Sequence, residues 1–287
     1  MSKREYPINE RCFDVLNERS SYYVGLLYAD GSCTMENKIR LWLSEKDKDI
    51  LLRYRDFLHT NTRPIKSKVI EGKQYFGLEF RSWRVHNKIK EYELTLRKEK
   101  RHRLNIKLLQ PGVRSHFIRG VFDGDGGFYV DKRGYLFSEI TGQKSLLKDL
   151  KNILVLDGVL NPNKHIVKNG SIFRIRFSSS ETILLGKYMY KDAKDFLIRK
   201  NSIFRNHVER LNELVEKKLS LKRQSRYSYN TDLRPVQSFN DGKIEEYRMR
   251  KLYNAGNGDK ENVEANVKHE RVMEEMSSVK QFRKCCS

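Results

Sequence analysis

The order of apolar and polar residues in the first hundred positions predicts a mixed unit of helices and strands. Residues 21–29 are apolar and run into a glycine, which is typical of a helix whose next residue takes a positive φ. Lys38–Ser44 alternates strictly, so we expect a strand that is buried on one side. Helical spacing returns at 50–58, and a hairpin follows around residues 71–73. The inward positions of the two strands are Ile39, Leu41, Leu43, Phe76, Leu78 and Phe80.

The same features return in the same order about 95 to 98 residues later, which indicates an internal repeat. Gly25 and Asp30 recur as Gly120 and Asp125, a separation of 95 residues. Later landmarks shift by only a few positions, as Pro64 does on recurring as Pro162. The fold class predicted is therefore α+β: two αββαββα units related by a pseudo-twofold axis, each with an antiparallel sheet and helices on one face.

The domain boundaries follow from this repeat and from the loss of apolar periodicity after it. We assign residues 1–104 to the first unit, 105–114 to a linker with its turn at Pro111-Gly112, and 115–220 to the second unit. The last segment, 221–287, is polar and rich in turn residues. We expect it to be partly disordered or draped over the body, and dispensable for catalysis.

Charge narrows the function to partners that are polyanions. The 287-residue chain has 58 Lys+Arg against 37 Asp+Glu, a formal net charge of +21. The excess lies in residues 1–220, so the main body carries the positive field. No apolar run is long enough to span a membrane and the N-terminus has no signal-peptide core, so an intracellular protein with no membrane partner is expected. Four cysteines without metal-ligand spacing leave a disulfide framework or zinc site unsupported.

The outward positions of the predicted strands form one polar, basic face in each unit. Two such faces on a strongly basic body favour a groove for nucleic acid over simple solvation. With the residues that flank them, we expect these faces to contact DNA through Lys38, Arg40, Trp42, Ser44, Lys66, Lys68, Tyr75, Glu79, Arg81, Glu139, Lys164, Arg174, Arg176 and Ser178.

The two opening helices carry the candidate chemistry. Small residues four apart, Gly25 with Ala29 and Gly120 with Gly124, would let the helices approach closely. Asp30 and Asp125 would then lie side by side at adjacent helix C-termini, where the macrodipole and mutual repulsion both disfavour two carboxylates. A divalent cation with oxygen ligands, Mg²⁺ or another such as Mn²⁺, would relieve that cost. A calcium loop at residues 123–127 fails, because Phe128 stands where that loop needs glycine.

The segments YYVGLLYADGS and HFIRGVFDGDGGF resemble the two signature motifs of the LAGLIDADG homing endonucleases in their monomeric form. The resemblance covers about residues 11–215. It implies a saddle whose two sheets lie in the major groove of a long, asymmetric DNA site. It also implies metal-dependent hydrolysis of both strands across the minor groove, leaving short 3′ overhangs, and a role in intron or mobile-gene homing.

Residue roles carried over from that resemblance concern both halves of the site. Asp30 and Asp125 match the metal-binding acids, with the backbone carbonyls of Ala29 and Gly124 as further ligands. Lys98 and Lys200 resemble the basic residues that approach the scissile phosphates, where a cation would stabilise the transition state. Gln143 resembles the residue that orders the hydrolytic water, and its counterpart in the first half falls at Lys46 or Asp47. The upstream acid common in the family is kept at Asp123 and replaced at Tyr28.

Two alternatives use the same scaffold. A splicing cofactor would bind intron RNA, and loss of a motif acid would have favoured it, but both acids are present. A regulator that binds DNA without cutting it typically adds a second DNA-binding domain, and residues 221–287 show no convincing one. The leading prediction is therefore a site-specific double-strand DNA endonuclease.

Overall fold

A computed structural model of the chain describes residues 6–34, 36–92 and 109–229, and for 221–229 it describes the backbone alone. Two compact units meet between Ser225 and Arg226, and everything below concerns the first. Its helices are α1 (Glu18–Asp30), α2 (Lys48–Phe57), α3 (Trp83–Glu91), α4 (Pro111–Asp125), α5 (Lys144–Leu156), α6 (Ser179–Tyr190) and α7 (Ile198–Tyr229). Its strands are β1 (Gly31–Cys33), β2 (Lys38–Ser44), β3 (Lys66–Ile70), β4 (Lys73–Arg81), β5 (Gly126–Val130), β6 (Leu136–Gly142), β7 (Val167–Asn169) and β8 (Ile172–Phe177).

The element order confirms two αββαββα halves. Each half has a four-stranded antiparallel sheet, in the order β1-β2-β4-β3 in the first and β5-β6-β8-β7 in the second. Helices α1 and α2 pack against the first sheet, and α4, α5 and α6 pack against the second. Within the described ranges, no helix is long and apolar enough to cross a membrane.

Strand patterning follows the sequence closely. In β2 the burial alternates along the whole strand, because its apolar residues face the helices and its polar residues face outward. In β4, Leu78 and Phe80 are buried, while Phe76 is only partly covered. The β3–β4 hairpin turns at Glu71 and Gly72 with φ of 49° and 73°, so both residues adopt the left-handed conformation that tight hairpins require.

Two boundaries differ from the sequence expectation. Helix α4 begins at Pro111, so residues 111–114, which the sequence assigned to the linker, form the first turn of that helix. Proline is well suited to this position, because its fixed φ matches the helix and its missing N–H would have had no partner there. Helix α7 continues past residue 220 to Tyr229. The segmentation of the chain into domains otherwise stays a prediction.

Candidate metal centre and nucleic-acid interface

Helices α1 and α4 cross at the centre of the molecule, and glycine is what allows the crossing. A Cβ atom built on Gly25 would lie 2.2 Å from the carbonyl oxygen of Phe117, and one built on Gly120 would lie 2.1 Å from that of Tyr22. Tyr22 and Phe117 are themselves equivalent in the repeat, so the contact is symmetric. Backbone therefore packs on backbone at this point, which fixes the separation and relative rotation of the two helices.

The crossing brings the acidic ends of the helices together, as the repeat predicts. A Cβ built on Gly124 would lie 2.2 Å from the Ala29 Cβ and 2.8 Å from Asp30 Oδ2. The carboxylate of Asp30 thus lies against the backbone of the opposite helix, one residue before Asp125. Both acids are half-buried. Any larger side chain at position 124 would push the Asp30 carboxylate away from that end of α4.

The glycine after each acid has a different reason from the one expected. Gly31 has φ −76° and Gly126 has φ −107°, so neither residue needs the left-handed conformation. Instead, a Cβ on Gly31 would lie 2.4 Å from the Leu27 carbonyl oxygen, and one on Gly126 would lie 2.5 Å from the Phe122 ring. The chain turns sharply back over the last helical turn into β1 and β5, and only glycine leaves room for that turn.

Lys200 lies at the same end of α4, but its ammonium group faces the helix backbone. It is 3% exposed and donates to the carbonyls of Phe122, Asp123 and Gly126 at 2.8, 2.6 and 2.6 Å. These three bonds use all of its protons. Burial lowers the pKa of Lys200 to about 8, although the carboxylates of Asp123, Asp47 and Asp30 oppose the shift. In this structure Lys200 therefore acts as a cationic cap on the C-terminus of α4.

Asp123 is the second buried charge at this end. Its Oδ2 accepts hydrogen bonds from the Tyr22 hydroxyl and the Leu197 amide, both at 2.8 Å, while Oδ1 is buried with no partner among the described residues. Burial raises its pKa to about 6, against the nearby Lys200 charge and these hydrogen bonds. Tyr28, the equivalent residue in α1, is buried in the core. The acid that the first half lacks is thus used in the second half to hold α1 and the start of α7 against α4.

Gln143 and Asp47 are the N-caps of α5 and α2, but sheet register gives Gln143 a different counterpart. Leu41 pairs with Leu78 in the first sheet, and Ile140 pairs with Ile175 in the second. Because Leu78 and Ile175 are repeat equivalents, three residues further on Ser44 corresponds to Gln143. The 3-10 turn Glu45–Asp47 is then an insertion in the first half, and the expectation of Lys46 or Asp47 counted that turn as shared.

Asp47 instead forms a bond across the two halves. Arg199, at the start of α7, donates Nε and Nη2 to its two carboxylate oxygens at 2.6 and 2.9 Å. Asp47 is 7% exposed, so the pair is well shielded from solvent on the carboxylate side. A paired, bidentate geometry of this kind holds the first half against the chain that leads into α7.

The donors at the helix ends fit a divalent cation with oxygen ligands. Asp30 lies in the cradle formed by Gly124, and Asp125 follows directly. Lys200 and Thr141 bond the carbonyls of Phe122, Asp123, Asp125 and Gly126, and neither of them bonds the Gly124 carbonyl. Among the described residues no three His, Cys, Asp or Glu side chains come together. The chemistry available is therefore that of two carboxylates supported by main-chain oxygens, which suits Mg²⁺ better than zinc.

The outward face of the first sheet is organised around Glu79. Its carboxylate is 10% exposed and accepts from Lys38 at 2.9 Å, Lys66 at 3.0 Å and Trp42 Nε1 at 3.1 Å, with Arg40 at 3.5 Å. Burial would raise its pKa, but these cations and hydrogen bonds prevail and lower it to about 2. Lys68 lies 4.1 Å from the centre of the Trp42 ring. The face is thus a set of cations held in place by one central anion.

The outward face of the second sheet holds the same kind of pair in reverse order. Arg40 lies opposite Glu79 in the first sheet, and Glu139 lies opposite Arg176 in the second. Glu139 is 3.3 Å from Arg176 and 3.8 Å from Arg174, and its side chain is 30% exposed. The second face is therefore more open, and its arginines are less tightly bound.

The remaining predicted contacts lie in several environments. Arg81 pairs with Glu36, and Tyr75 is half-buried near the end of β2. Lys164 points toward the helices, where Nζ lies 2.6 Å from Glu181 of α6. The Ser44 hydroxyl donates to Asp47, and Ser178 caps α6. Lys98 lies outside the described residues.

Arg119 is the buried charge that pattern reading overlooks. It is fully buried in α4 and donates to the carbonyls of Asp195 and Met189 at 2.9 and 2.8 Å, with Glu18 at 3.5 Å. Burial lowers its pKa. The available signal was an arginine inside an otherwise apolar motif helix, a position where the charge must find partners in the core.

Solved structures similar to this chain include LAGLIDADG homing endonucleases, in agreement with the motifs. The LAGLIDADG meganuclease I-AabMI, solved with uncleaved DNA, is 16% identical, covers 71% of this chain and 92% of its own, and has a TM-score of 0.47. The LAGLIDADG homing endonuclease I-SmaMI, solved with cleaved DNA, gives 16%, 71%, 91% and 0.48. Full-length DUF199/WhiA from Thermatoga maritima gives 15%, 76%, 72% and 0.44. No protein-family model matches the sequence, and no curated protein matches it.

Proposed function

We propose that this protein is a site-specific endonuclease that hydrolyses both strands of duplex DNA with a divalent cation, Mg²⁺ or Mn²⁺. The observation that carries the proposal is the pair of acids at the crossing of α1 and α4, with Asp30 lying in the Gly124 cradle beside Asp125. Each half contributes one acid and one basic sheet face, so a single chain holds the whole site. We therefore expect a monomer acting on one long, asymmetric target inside the cell.

Asp30 and Asp125 would hold the cation, together with the main-chain carbonyls of Ala29 and Gly124. When bound, the cation would supply charge neutralisation for the two carboxylates, polarisation of a phosphate oxygen and a lowered pKa for bound water. The protein's own contribution is rigidity. The glycine contacts fix the crossing, and Lys200 and Thr141 bind the neighbouring carbonyls, so the two carboxylates stay in register.

Three polar side chains would complete the centre. Gln143 is exposed at the start of α5, close in sequence to the end of β6, and would order the attacking water. Lys98 and Lys200 would act on the phosphates in the two halves. For Lys200 this requires that its ammonium group exchange one carbonyl for a phosphate oxygen. In the structure without DNA, its role is to position the end of α4.

The two sheets would read the target. Arginine and lysine side chains on the outward strands are the groups that contact guanine edges and phosphates, and a bidentate arginine–guanine pair contributes about 1–3 kcal/mol of discrimination. Glu79 and Glu139 keep their cations extended over the face instead of folded back onto the sheet. We expect alanine at Arg40, Arg81, Arg174 or Arg176 to change the preferred sequence without abolishing cleavage.

The test is cleavage by Asp30→Asn and Asp125→Asn. Wild-type protein with Mg²⁺ is first used to select cleaved sites from a randomised duplex library, and both variants are then assayed on the selected site. Each variant should lose double-strand cleavage and keep near-normal DNA affinity, because the carboxylates bind metal and not bases. The double variant should be no worse than either single variant, since the two acids act as one unit. Asp192→Asn, an exposed acid with φ of 56° that asparagine tolerates, is the matched control.

Other outcomes would identify the alternatives. Full cleavage by either variant would refute the metal assignment. Tight duplex binding by the wild type without cleavage in Mg²⁺ or Mn²⁺ would favour a regulator that does not cut. Preference for structured RNA over duplex DNA would favour a splicing cofactor.

A further inference from the structure

An open basic cleft of about 400 Å³ lies on the second half, away from the residues assigned above to catalysis and base reading. It runs between α5 and the loop that leads into β7. The residues around it are Lys144, Lys148, Lys151, Asn152, Lys164 and His165. Strand β7 is an edge strand of the second sheet, so the cleft lies beside the border of that reading face.

The lysines form a row along one side of α5. Positions 144, 148 and 151 are spaced by four and three residues, which puts them on one helical face. At 1.5 Å per residue, the row is about 10 Å long, which matches roughly three nucleotides of one strand at 3.4 Å each. Lys164 is neutralised by Glu181, whereas none of the three helical lysines has a carboxylate partner among the described residues.

The equivalent surface of the first half is built differently. Lys48 lies 4.2 Å from the Phe76 ring centre, as Lys144 lies 5.4 Å from that of Phe173, so the two helices begin alike. Beyond this point, the first half has Leu52 where the second half has Lys148. Asp56 in the first half, which pairs with Arg19, stands where Asn152 stands in the second. The cleft is therefore specific to the second half.

We propose that this cleft binds the phosphodiester backbone of duplex DNA flanking the target on the side of the second half. This rests on the proposed function, since the duplex must lie along the second sheet to reach the β7 edge. The cleft is open and its lysines are on long, exposed stems, so it suits a chain passing across it better than an enclosed small molecule. Because the contacts are to phosphates, they would strengthen binding without adding base preference.

The experiment measures duplex affinity at several salt concentrations for Lys148→Gln/Lys151→Gln. Two lost phosphate contacts should reduce the slope of log affinity against log salt by about 1.8. Between 50 and 200 mM salt, wild type should then lose roughly twelvefold more affinity than the variant. Phosphate ethylation interference should disappear at one end of the site only, the end whose base preference changes in Arg176→Ala. The preferred sequence itself should not change.

The matched control is Lys187→Gln/Lys191→Gln, which removes the same charge from exposed positions of the same half. If both double variants change the slope equally, long-range charge explains the effect and the cleft proposal is wrong. An unchanged slope in the cleft variant also overturns it. Reduced affinity for single-stranded RNA with normal duplex affinity would overturn it in favour of an RNA ligand. Loss of cleavage in wild type with a changed slope in the variant would refute the nuclease proposal and support the cleft.

Discussion

At the crossing of α1 and α4 the two halves use equivalent residues, whereas on their sheets they hold charges in opposite order. Gly25 and Gly120 face equivalent carbonyls at 2.2 and 2.1 Å from a built Cβ. Arg40 and Glu79 of the first sheet correspond to Glu139 and Arg176 of the second. The difference has a simple cause: backbone contact at the centre admits no side chain, whereas a pair on an open face keeps its attraction in either order.

Core charges show the same contrast. Arg119 is buried in α4, and its equivalent in α1, 95 residues earlier, is Val24, which is also fully buried. Arg119 binds the main chain of the 189–195 region, and Arg19 and Arg53 of the first half bind the same stretch through Asp195 and the Lys194 carbonyl. The pseudo-symmetry therefore ends where the chain after α6 crosses between the halves.

The largest expected effect is at the symmetric centre. Gly25→Ala and Gly120→Ala should each lower the free energy of unfolding by about 3 kcal/mol or more, because the added methyl overlaps a carbonyl of the opposite helix and the two helices must separate. Denaturant unfolding followed by circular dichroism measures this. The two losses should be similar, because the contacts are equivalent.

Gly112 provides the control for that pair. It lies in the first turn of α4, where a built Cβ would contact nothing within 4 Å. Gly112→Ala should leave stability unchanged or raise it by up to about 1 kcal/mol, since alanine is the better helix former. Near-normal stability of Gly120→Ala would mean that the helices do not cross on their backbones.

The next effect tests the asymmetric charge in the core. Arg119→Met retains length but leaves the Asp195 and Met189 carbonyls without this donor, so we expect a loss of about 3 kcal/mol. Arg53→Met, which removes one bond of a half-buried side chain to the same region, should cost less than about 1 kcal/mol. Equal losses would show that burial of Arg119 is not what makes it important.

Much of the fold follows from the sequence because the repeat presents the same information twice. Strand alternation gives β2 and β4, and the spacing of Gly25, Ala29, Gly120 and Gly124 gives the helix crossing. The acids fall where the crossing puts them. These features depend on local periodicity and on one symmetry, and both can be counted along the chain.

The rest depends on contacts between distant residues. Nothing local in the sequence indicates that Lys200 caps α4, or that Arg199 reaches Asp47 across 152 positions. The glycines after the acids suggested a positive φ, while the actual constraint is a sharp turn over Leu27 and Phe122. The counterpart of Gln143 was missed because a three-residue turn, Glu45–Asp47, alters the repeat offset only between strand and helix.

A moderate effect should distinguish the two sheet faces by pH. Because the pKa of Glu79 is lowered from 4.5 to about 2, the folded state releases its proton more readily than the unfolded state. Its contribution is therefore fully present above pH 4.5 and is lost as the pH falls through about 2. Glu79→Gln should lower stability by on the order of 1–2 kcal/mol at pH 7, after allowance for partly exposed cations, and by little near pH 2.

Glu139→Gln is the matched variant in the second sheet. Its partners are two arginines at 3.3 and 3.8 Å, and the side chain is 30% exposed, so the loss at pH 7 should be below about 1 kcal/mol. Unfolding curves for both variants at pH 7 and pH 2.5 make the comparison. A larger loss from Glu139→Gln would contradict the view that the first face is the more tightly organised one.

The smallest effect on stability should accompany a distinct change in sequence preference. Glu139→Arg/Arg176→Glu gives the second sheet the charge order of the first, and because the pair is kept, unfolding should change by less than about 0.5 kcal/mol. If the sheets read DNA, moving the arginine to the neighbouring strand should alter base preference at the positions that this pair contacts and nowhere else. Lys88→Glu/Glu91→Lys, which reverses an ion pair on α3, is the control and should leave preference intact. Selection from a randomised library compares the three proteins. An unchanged preference in the first swap would mean that the outward face of the second sheet does not contact the bases.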